Sequence, residues 1–215
     1  MSSNKRKLME RKPAWKPTLI GLKGAIGSGK STVAQMLCGN GFQEYMMSAT
    51  IKRVAIDLGF ENEEIYGTQE DKLKPNKFWG ISGRHFMQLF GTEVCRNLLP
   101  TVIPQMSNIW IRLFEKHLME NRADIVVSDV RFPDEVKCII QNDGFLIEIR
   151  RSETKHSNFV DEKCRSHQSE TSLANSADYI KPFYIIENTG SIDELYEKVL
   201  DCLSSIQQYQ VDNNV

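Results

Sequence analysis

The stretch Gly24-Ala25-Ile26-Gly27-Ser28-Gly29-Lys30-Ser31 decides how this chain is read. It satisfies G-x-x-x-x-G-K-[ST], the phosphate-cradling P-loop pattern. Gly24, Gly27 and Gly29 let the backbone turn sharply and approach a ligand without Cβ clashes. The amides from Gly27 to Ser31 can then converge on phosphate oxygens at the positive end of a following helix. In such a loop Lys30 reaches the β- and γ-phosphates, and the Ser31 hydroxyl ligates Mg²⁺. The flanks agree with the motif. Thr18 to Lys23 is apolar at alternate positions, as in a short strand. Thr32 to Cys38 places Val33, Met36 and Leu37 on one helical face, and Gly39 supplies a stop.

Composition sets the outer bounds. The 215 residues are 40% apolar and 26% charged, with no run long enough for a membrane span and no secretory signal. One domain over residues 18–206 is expected. Five scattered cysteines without a C-x-x-C pair indicate reduced thiols in a cytoplasmic setting and argue against zinc. The net charge of −1 hides an asymmetry: residues 1–17 hold six Lys/Arg against one Glu, leaving −6 for the rest. That basic segment reads as a disordered tail, with contact to nucleic acid as the alternative. Residues 207–215, rich in Gln and Asn, read as a frayed terminus.

Strands and helices alternate along the chain. Phe42 to Met47 reads as a second strand, and Ala49 to Leu58 as a helix. Residues 61–80 are polar, with one short acidic helix expected over Glu61 to Tyr66. From Ser82 a helix carries Phe86, Leu89, Phe90 and Val94 on an apolar face, with Arg84, Gln88 and Thr92 opposite and Arg96 towards the edge. Ile109 to Met119 is a further amphipathic helix. Asp124-Ile125-Val126-Val127-Ser128-Asp129 is a buried parallel strand ending in an acid. Pro133 opens the next helix, with Asp134 and Glu135 near its positive end. Gly144 to Arg150 and Tyr184 to Glu187 are strands, and Ile192 to Ile206 is the last helix. Such alternation around a P-loop predicts an open parallel α/β sheet with ligands at the strand C-termini.

Asp129 caps an apolar strand, where an acid can hold the Mg²⁺ shell. Arg131, two residues on, reaches the same edge of the sheet, either to grip a phosphate or to pair with Asp134 or Glu135. The polar, aperiodic stretch from about 151 to 175 reads as a lid that excludes water during phosphoryl transfer. No guanine-reading N-K-x-D or D-x-x-G is present, and no nucleophile–base pair stands out. An acceptor that is itself a phosphate needs no base, because its second pKa of about 6 leaves it largely ionised at neutral pH.

Gly24–Ser31 is followed in order by Ser-Gly-Arg-His-Phe-Met-Gln-Leu-Phe-Gly-Thr-Glu-Val-Cys-Arg (82–96), Asp-Val-Arg-Phe-Pro-Asp-Glu (129–135) and His-Gln-Ser-Glu (167–170). Together they resemble the deoxynucleoside monophosphate kinases of bacteriophages and large DNA viruses. The resemblance covers about Leu19 to Leu200. It implies a three-layer α/β/α fold with a five-stranded parallel sheet of order 2-3-1-4-5, a helical acceptor-binding region and a lid. It implies ATP and Mg²⁺ as cofactors, a deoxynucleoside monophosphate as partner, and the host cytoplasm as the location if the source is viral. A homodimer stays open. By resemblance, Gly24, Gly27, Ser28, Gly29, Lys30, Ser31 and Thr32 hold ATP, with Ser31 and Asp129 at the metal. Lys52, Lys72, Arg84, Gln88, Arg96, Arg131 and Arg165 face the acceptor. Lys30, Arg131, Arg150 and Arg151 act on the transferring phosphate. Asn108-Ile109-Trp110 departs from the family pattern, which has an acid before the tryptophan. The competing readings are a P-loop kinase of another metabolite, such as phosphomevalonate or dephospho-CoA, and a nucleotide-binding adaptor without catalysis.

Overall fold

The computed structural model describes residues 17–151, 166–173 and 183–213. Strands β1 (Leu19–Lys23), β2 (Gln43–Tyr45), β3 (Ile125–Val127), β4 (Phe145–Arg150) and β5 (Tyr184–Glu187) form one parallel sheet. Its order is β2-β3-β1-β4-β5, as expected. The register aligns Ile20 with Val126 on one side of β1 and with Phe145 on the other.

Period-two alternation sorts the strand side chains onto two faces. Ile20, Leu22, Val126, Ile147, Ile149 and Ile186 pack under α1 (Lys30–Gly39) and the C-terminal helix, here numbered α9 (Ile192–Asn213). Leu19, Ile125, Val127 and Leu146 pack under α6 (Ile109–Glu120) and α7 (Pro133–Gln141) through Phe114, Val136 and Ile139. On this second face Gly21 permits close approach, since a Cβ there would lie 2.5 Å from Ile139 Cδ1. Burying both faces explains why these strands are continuously apolar rather than alternating.

Between β2 and β3 the chain inserts a helical layer: α2 (Ala49–Asp57), α3 (Asn62–Tyr66), α4 (Gly83–Gln88), a π-helical stretch Leu89–Leu98, and α5 (Leu99–Val102). The helix expected from Ser82 departs from the usual rule. Its polar stripe is the buried one: Arg84, Gln88 and Thr92 are all below 9% exposed, whereas Val94 is 40% exposed. The stripe turns inward because it lines a polar cavity, while Phe86 and Phe90 on the apolar face pack against the clusters around Phe60 and Ile51, so apolar periodicity alone finds only one of the two covered faces. The π geometry, with about one extra residue per turn, also displaces the face beyond Leu89.

Two further expectations change. The second strand shortens to Gln43–Tyr45 because the amides of Met47 and Ser48 turn away to donate to Asp129 at 2.7 and 3.0 Å. The terminus beyond Ile206 is not frayed: α9 continues to Asn213. Gln210 is buried and shares hydrogen bonds with the Thr18 hydroxyl at the start of β1. The Tyr209 ring packs edge-on against Phe145 and Phe183, with centroids 5.7 and 5.4 Å away. The Gln/Asn composition concealed an anchored turn of helix. Truncation after Ile206 is expected to cost about 2–4 kcal/mol through lost aromatic packing and the abandoned Thr18 hydroxyl. Urea unfolding measures this, and an unchanged midpoint would contradict the anchoring.

Candidate functional site

The P-loop bridges β1 and α1 at the C-terminal edge of the sheet, and its three glycines all take positive φ: Gly24 150°, Gly27 79° and Gly29 105°. Gly29 caps α1, leaving the first amides of the helix at the loop mouth. A Cβ on Gly24 would sit 2.4 Å from the Ile149 carbonyl oxygen of β4, so the loop lies flush on the sheet. Just beyond β5, Asn188 donates Nδ2 to the Ser28 carbonyl at 2.8 Å and holds the loop from beneath. Sequence reading missed this residue, because its partner is far away along the chain.

In front of the loop opens a cavity of about 430 Å³. Gly27, Gly29, Lys30, Ser31 and Thr32 line one end. Lys52, Lys72, Arg84, Gln88 and Arg96 come from the helical layer, and Asp129, Arg131, Arg151 and Glu170 complete the wall. Seven cationic side chains therefore face four acids, Glu44, Asp129, Glu135 and Glu170. An excess of this size selects anions.

The cations disturb one another. Lys30 Nζ donates to the carbonyls of Gly24 and Ala25 at 2.6 and 2.8 Å. Burial, then the nearby Arg131, bring its pKa down to about 8, against the pull of Asp129. Burial also lowers Lys72, with Lys52, Arg84 and Arg131 adding repulsion. Lys52 Nζ lies 3.1 Å from Met46 Sδ and 5.3 Å from the Tyr66 ring centroid.

Acids from β3 and α7 organise this charge. Asp129 accepts from Met47 N, Ser48 N and Ser48 Oγ, tying the end of β3 to the start of α2. A carboxylate offers about four acceptor positions, so these three bonds leave little direct capacity for a metal. A Mg²⁺ shell dominated by water and phosphate oxygens, with Ser31 beside it, still fits.

Glu135, only 3% exposed, accepts from the amides of Arg131 and Phe132 and from Arg96 Nη2 at 2.7, 3.1 and 2.9 Å. Burial pushes its carboxyl up to about 7, against the pull of those donors and of Arg96. Arg96 also pairs with Asp134 and stacks 3.8 Å over the Phe132 ring. Its fork is thus committed to α7, a more structural position than the expected contact with acceptor. Of the two expectations for Arg131, its guanidinium takes neither acid of α7. It pairs instead with Glu170 of the short helix α8 (Gln168–Thr171), within the stretch expected to be aperiodic.

Arg150 is placed elsewhere. It bonds Glu148, its i−2 neighbour on the same strand face, at 2.8 Å and lies 3.9 Å from Glu187, while Arg151 lines the cavity. Strand alternation therefore separates two adjacent arginines that the sequence had grouped. Arg165, and most of the expected lid, lie outside the described residues, as do residues 1–16 of the basic tail. Of the residues that sequence reasoning left without a role, Glu135 had a signal in its position at the third residue of a Pro-initiated helix. Glu170 had one only as part of a quoted run.

A P-loop on a 2-3-1-4-5 parallel sheet, opening on a cation-lined cavity, defines a P-loop kinase of the small-substrate type. A family model described as deoxynucleotide monophosphate kinase matches residues 67–199. A protein of Acanthamoeba polyphaga mimivirus named "Putative deoxynucleotide monophosphate kinase" is 33% identical over 88% of this chain and 98% of its own length. This chain belongs to the deoxynucleotide monophosphate kinase family and is a phosphotransferase. A dephospho-CoA kinase of Fusobacterium nucleatum is 24% identical over 84% of this chain and 94% of its own. The crystal structure of TT1252 from Thermus thermophilus shares the fold, with TM-score 0.50 and 22% identity over 89% of this chain and 98% of that one.

Gly29→Ala is expected to weaken binding of a fluorescent nucleoside triphosphate analogue at least about tenfold, from the cost of a left-handed non-glycine residue. The new Cβ would also meet Asn188 Nδ2 at 2.4 Å. Adding Asn188→Ala relieves that contact but not the φ cost, so the double variant should stay weak. Full recovery would show that contact alone mattered.

Proposed function

We propose that the protein transfers the γ-phosphate of ATP to the phosphate of a deoxynucleoside monophosphate, producing ADP and the deoxynucleoside diphosphate. The observation that carries this reading is the second cationic wall. Lys52, Lys72, Arg84 and Arg131 face the same cavity as the P-loop residues Lys30 and Ser31, so two phosphorylated ligands can meet there. Membership of the family supports a deoxynucleoside monophosphate as that acceptor.

In this reading an ionised oxygen of the acceptor phosphate bonds to the γ-phosphorus as the bond to the β-phosphate oxygen breaks. No proton has to be removed from an acceptor with a second pKa of about 6. The chain's work is positioning and charge neutralisation. Lys30 neutralises the transferring group, while Arg84 and Arg131 orient the acceptor phosphate by forked contacts. Ser31 would hold Mg²⁺ directly and Asp129, whose oxygens are largely engaged, through its water shell; the ion would supply further neutralisation at the phosphates. Gln88 and Thr92, buried on the inward stripe, line the cavity and would face a nucleoside there.

The dephospho-CoA kinase relative supports a second reading, in which the acceptor is the substrate of that name. Coupled ADP-release assays across the deoxynucleoside monophosphates and dephospho-CoA separate the two. Turnover is expected with at least one deoxynucleoside monophosphate, and turnover with dephospho-CoA alone would reverse the assignment.

Lys30→Ala should lower kcat by roughly 10²–10³-fold, the range for losing one preorganised charge-stabilising donor. Activity within twofold of wild type would exclude that role. The pH dependence has a definite sign. Bound polyphosphate favours the Lys30 ammonium, so the complex holds more protons than the free protein above pH 8, where free Lys30 deprotonates. Nucleotide affinity should therefore be flat from pH 7 to about 8 and fall above it. Calorimetric titration across pH 7–9.5 measures this, and a constant affinity would contradict it.

A further inference from the structure

Arg131 is gripped at both ends. Its amide donates to Glu135 Oε2 at 2.7 Å, inside the buried N-terminus of α7. Its guanidinium pairs through Nη1 with Glu170 of α8, and both side chains line the cavity. The single turn of α8 is itself fastened. His167 caps it by accepting from Ser169 N at 3.1 Å, and its Nε2 lies 3.6 Å from Glu93 on the π-helical stretch. Leu173, just beyond, packs on the core under α6 and α7. Ser169 is buried and also faces the cavity.

A flexible arginine loses orientation unless its fork is pre-held, and a carboxylate is the group that holds it best. A carboxylate at an anion site is otherwise unfavourable, because it repels the phosphate meant to bind there. Its presence here is explained if it directs the arginine. From the Arg131–Glu170 pair at the cavity wall, with α8 fastened to both the π-helical stretch and the core, we infer that Glu170 is a positioning residue. It aims the Arg131 guanidinium at the acceptor phosphate and leaves the fork's other donors for phosphate oxygens. This rests on the reading of the cavity as an acceptor-phosphate site.

The consequence is a split between binding and turnover. Glu170 opposes the incoming negative charge, so removing it should not raise the acceptor KM. It orients the fork, so removing it should lower kcat.

Steady-state kinetics on the full chain test this with three variants. Glu170→Ala is expected to lower kcat about tenfold or more, the scale of a small misplacement at a reacting centre, with acceptor KM unchanged or lower. Glu170→Gln keeps the reach and one hydrogen bond and should retain at least about a third of kcat. Glu170→Asp keeps the charge but withdraws it by one methylene, and should lose about as much as alanine. In an Arg131→Ala background, Glu170→Ala should change kcat less than twofold, because the residue it aims is gone.

Equal losses in the Gln and Ala variants, or a rise in acceptor KM at constant kcat, would overturn the inference. So would faster turnover in Glu170→Ala, which would make Glu170 a competitor for Arg131. If wild type turns over another phosphorylated acceptor and no deoxynucleotide, the substrate assignment fails and the same variants are read with that acceptor. If wild type turns over deoxynucleotides and the variants do not follow this pattern, the inference alone fails.

Discussion

Like-charge repulsion in one cavity is the constraint around which the remaining structure is arranged. Lys30, Lys52, Lys72, Arg84, Arg96, Arg131 and Arg151 share a space of about 430 Å³. Burial and mutual repulsion depress Lys30 and Lys72 and make the fold unfavourable unless anions enter or fixed acids offset them. The chain does the second with carboxylates on the β3–α7 connection, in the first turn of α7 and on α8. Asp129 spends its oxygens on α2, Glu135 on two amides and Arg96, and Glu170 on Arg131. The acids fix where the cations stand, and the remaining positive excess is what a phosphorylated substrate would meet.

This arrangement depends on the sheet order. Because β3 pairs with β1, Asp129 and Arg131 emerge beside the P-loop, and the helical layer inserted between β2 and β3 folds over the same edge. Because β4 and β5 lie on the other side of β1, the Ile149 carbonyl and Asn188 support the loop from beneath. Gly24 is thus backed by the β4 main chain and Gly29 by the Asn188 side chain, while Gly27 faces open space. The same edge carries the Lys23–Glu148–Arg150 pairs, which occupy Arg150 away from the cavity.

The parts of the site that rest on local chemistry were legible in the sequence. A glycine at a positive φ, a proline at a helix start and an acid closing an apolar strand act within a few residues, so Gly24–Ser31, Pro133 and Asp129 announced themselves. The inward turn of Arg84, Gln88 and Thr92 was not legible. Periodicity identifies two faces of a helix but not which one meets a cavity. Arg150 and Arg151 were inseparable for a similar reason: a strand end one residue earlier or later exchanges their sides. Gln210 was misread because composition reports average behaviour, whereas one bond to Thr18 and one ring against Phe145 anchored that turn.

By itself the sequence determined the glycine-rich turn between β1 and α1, the parallel α/β class and the residue types offered to the site, because each follows from short-range sterics or from residue type at fixed spacing. Tertiary structure alone decided which charged groups meet. The Arg131–Glu170, Arg96–Glu135 and Asn188–Ser28 partnerships join residues 39 to 160 positions apart. Pairings at that separation are set by how the sheet orders its strands, and no local pattern encodes them.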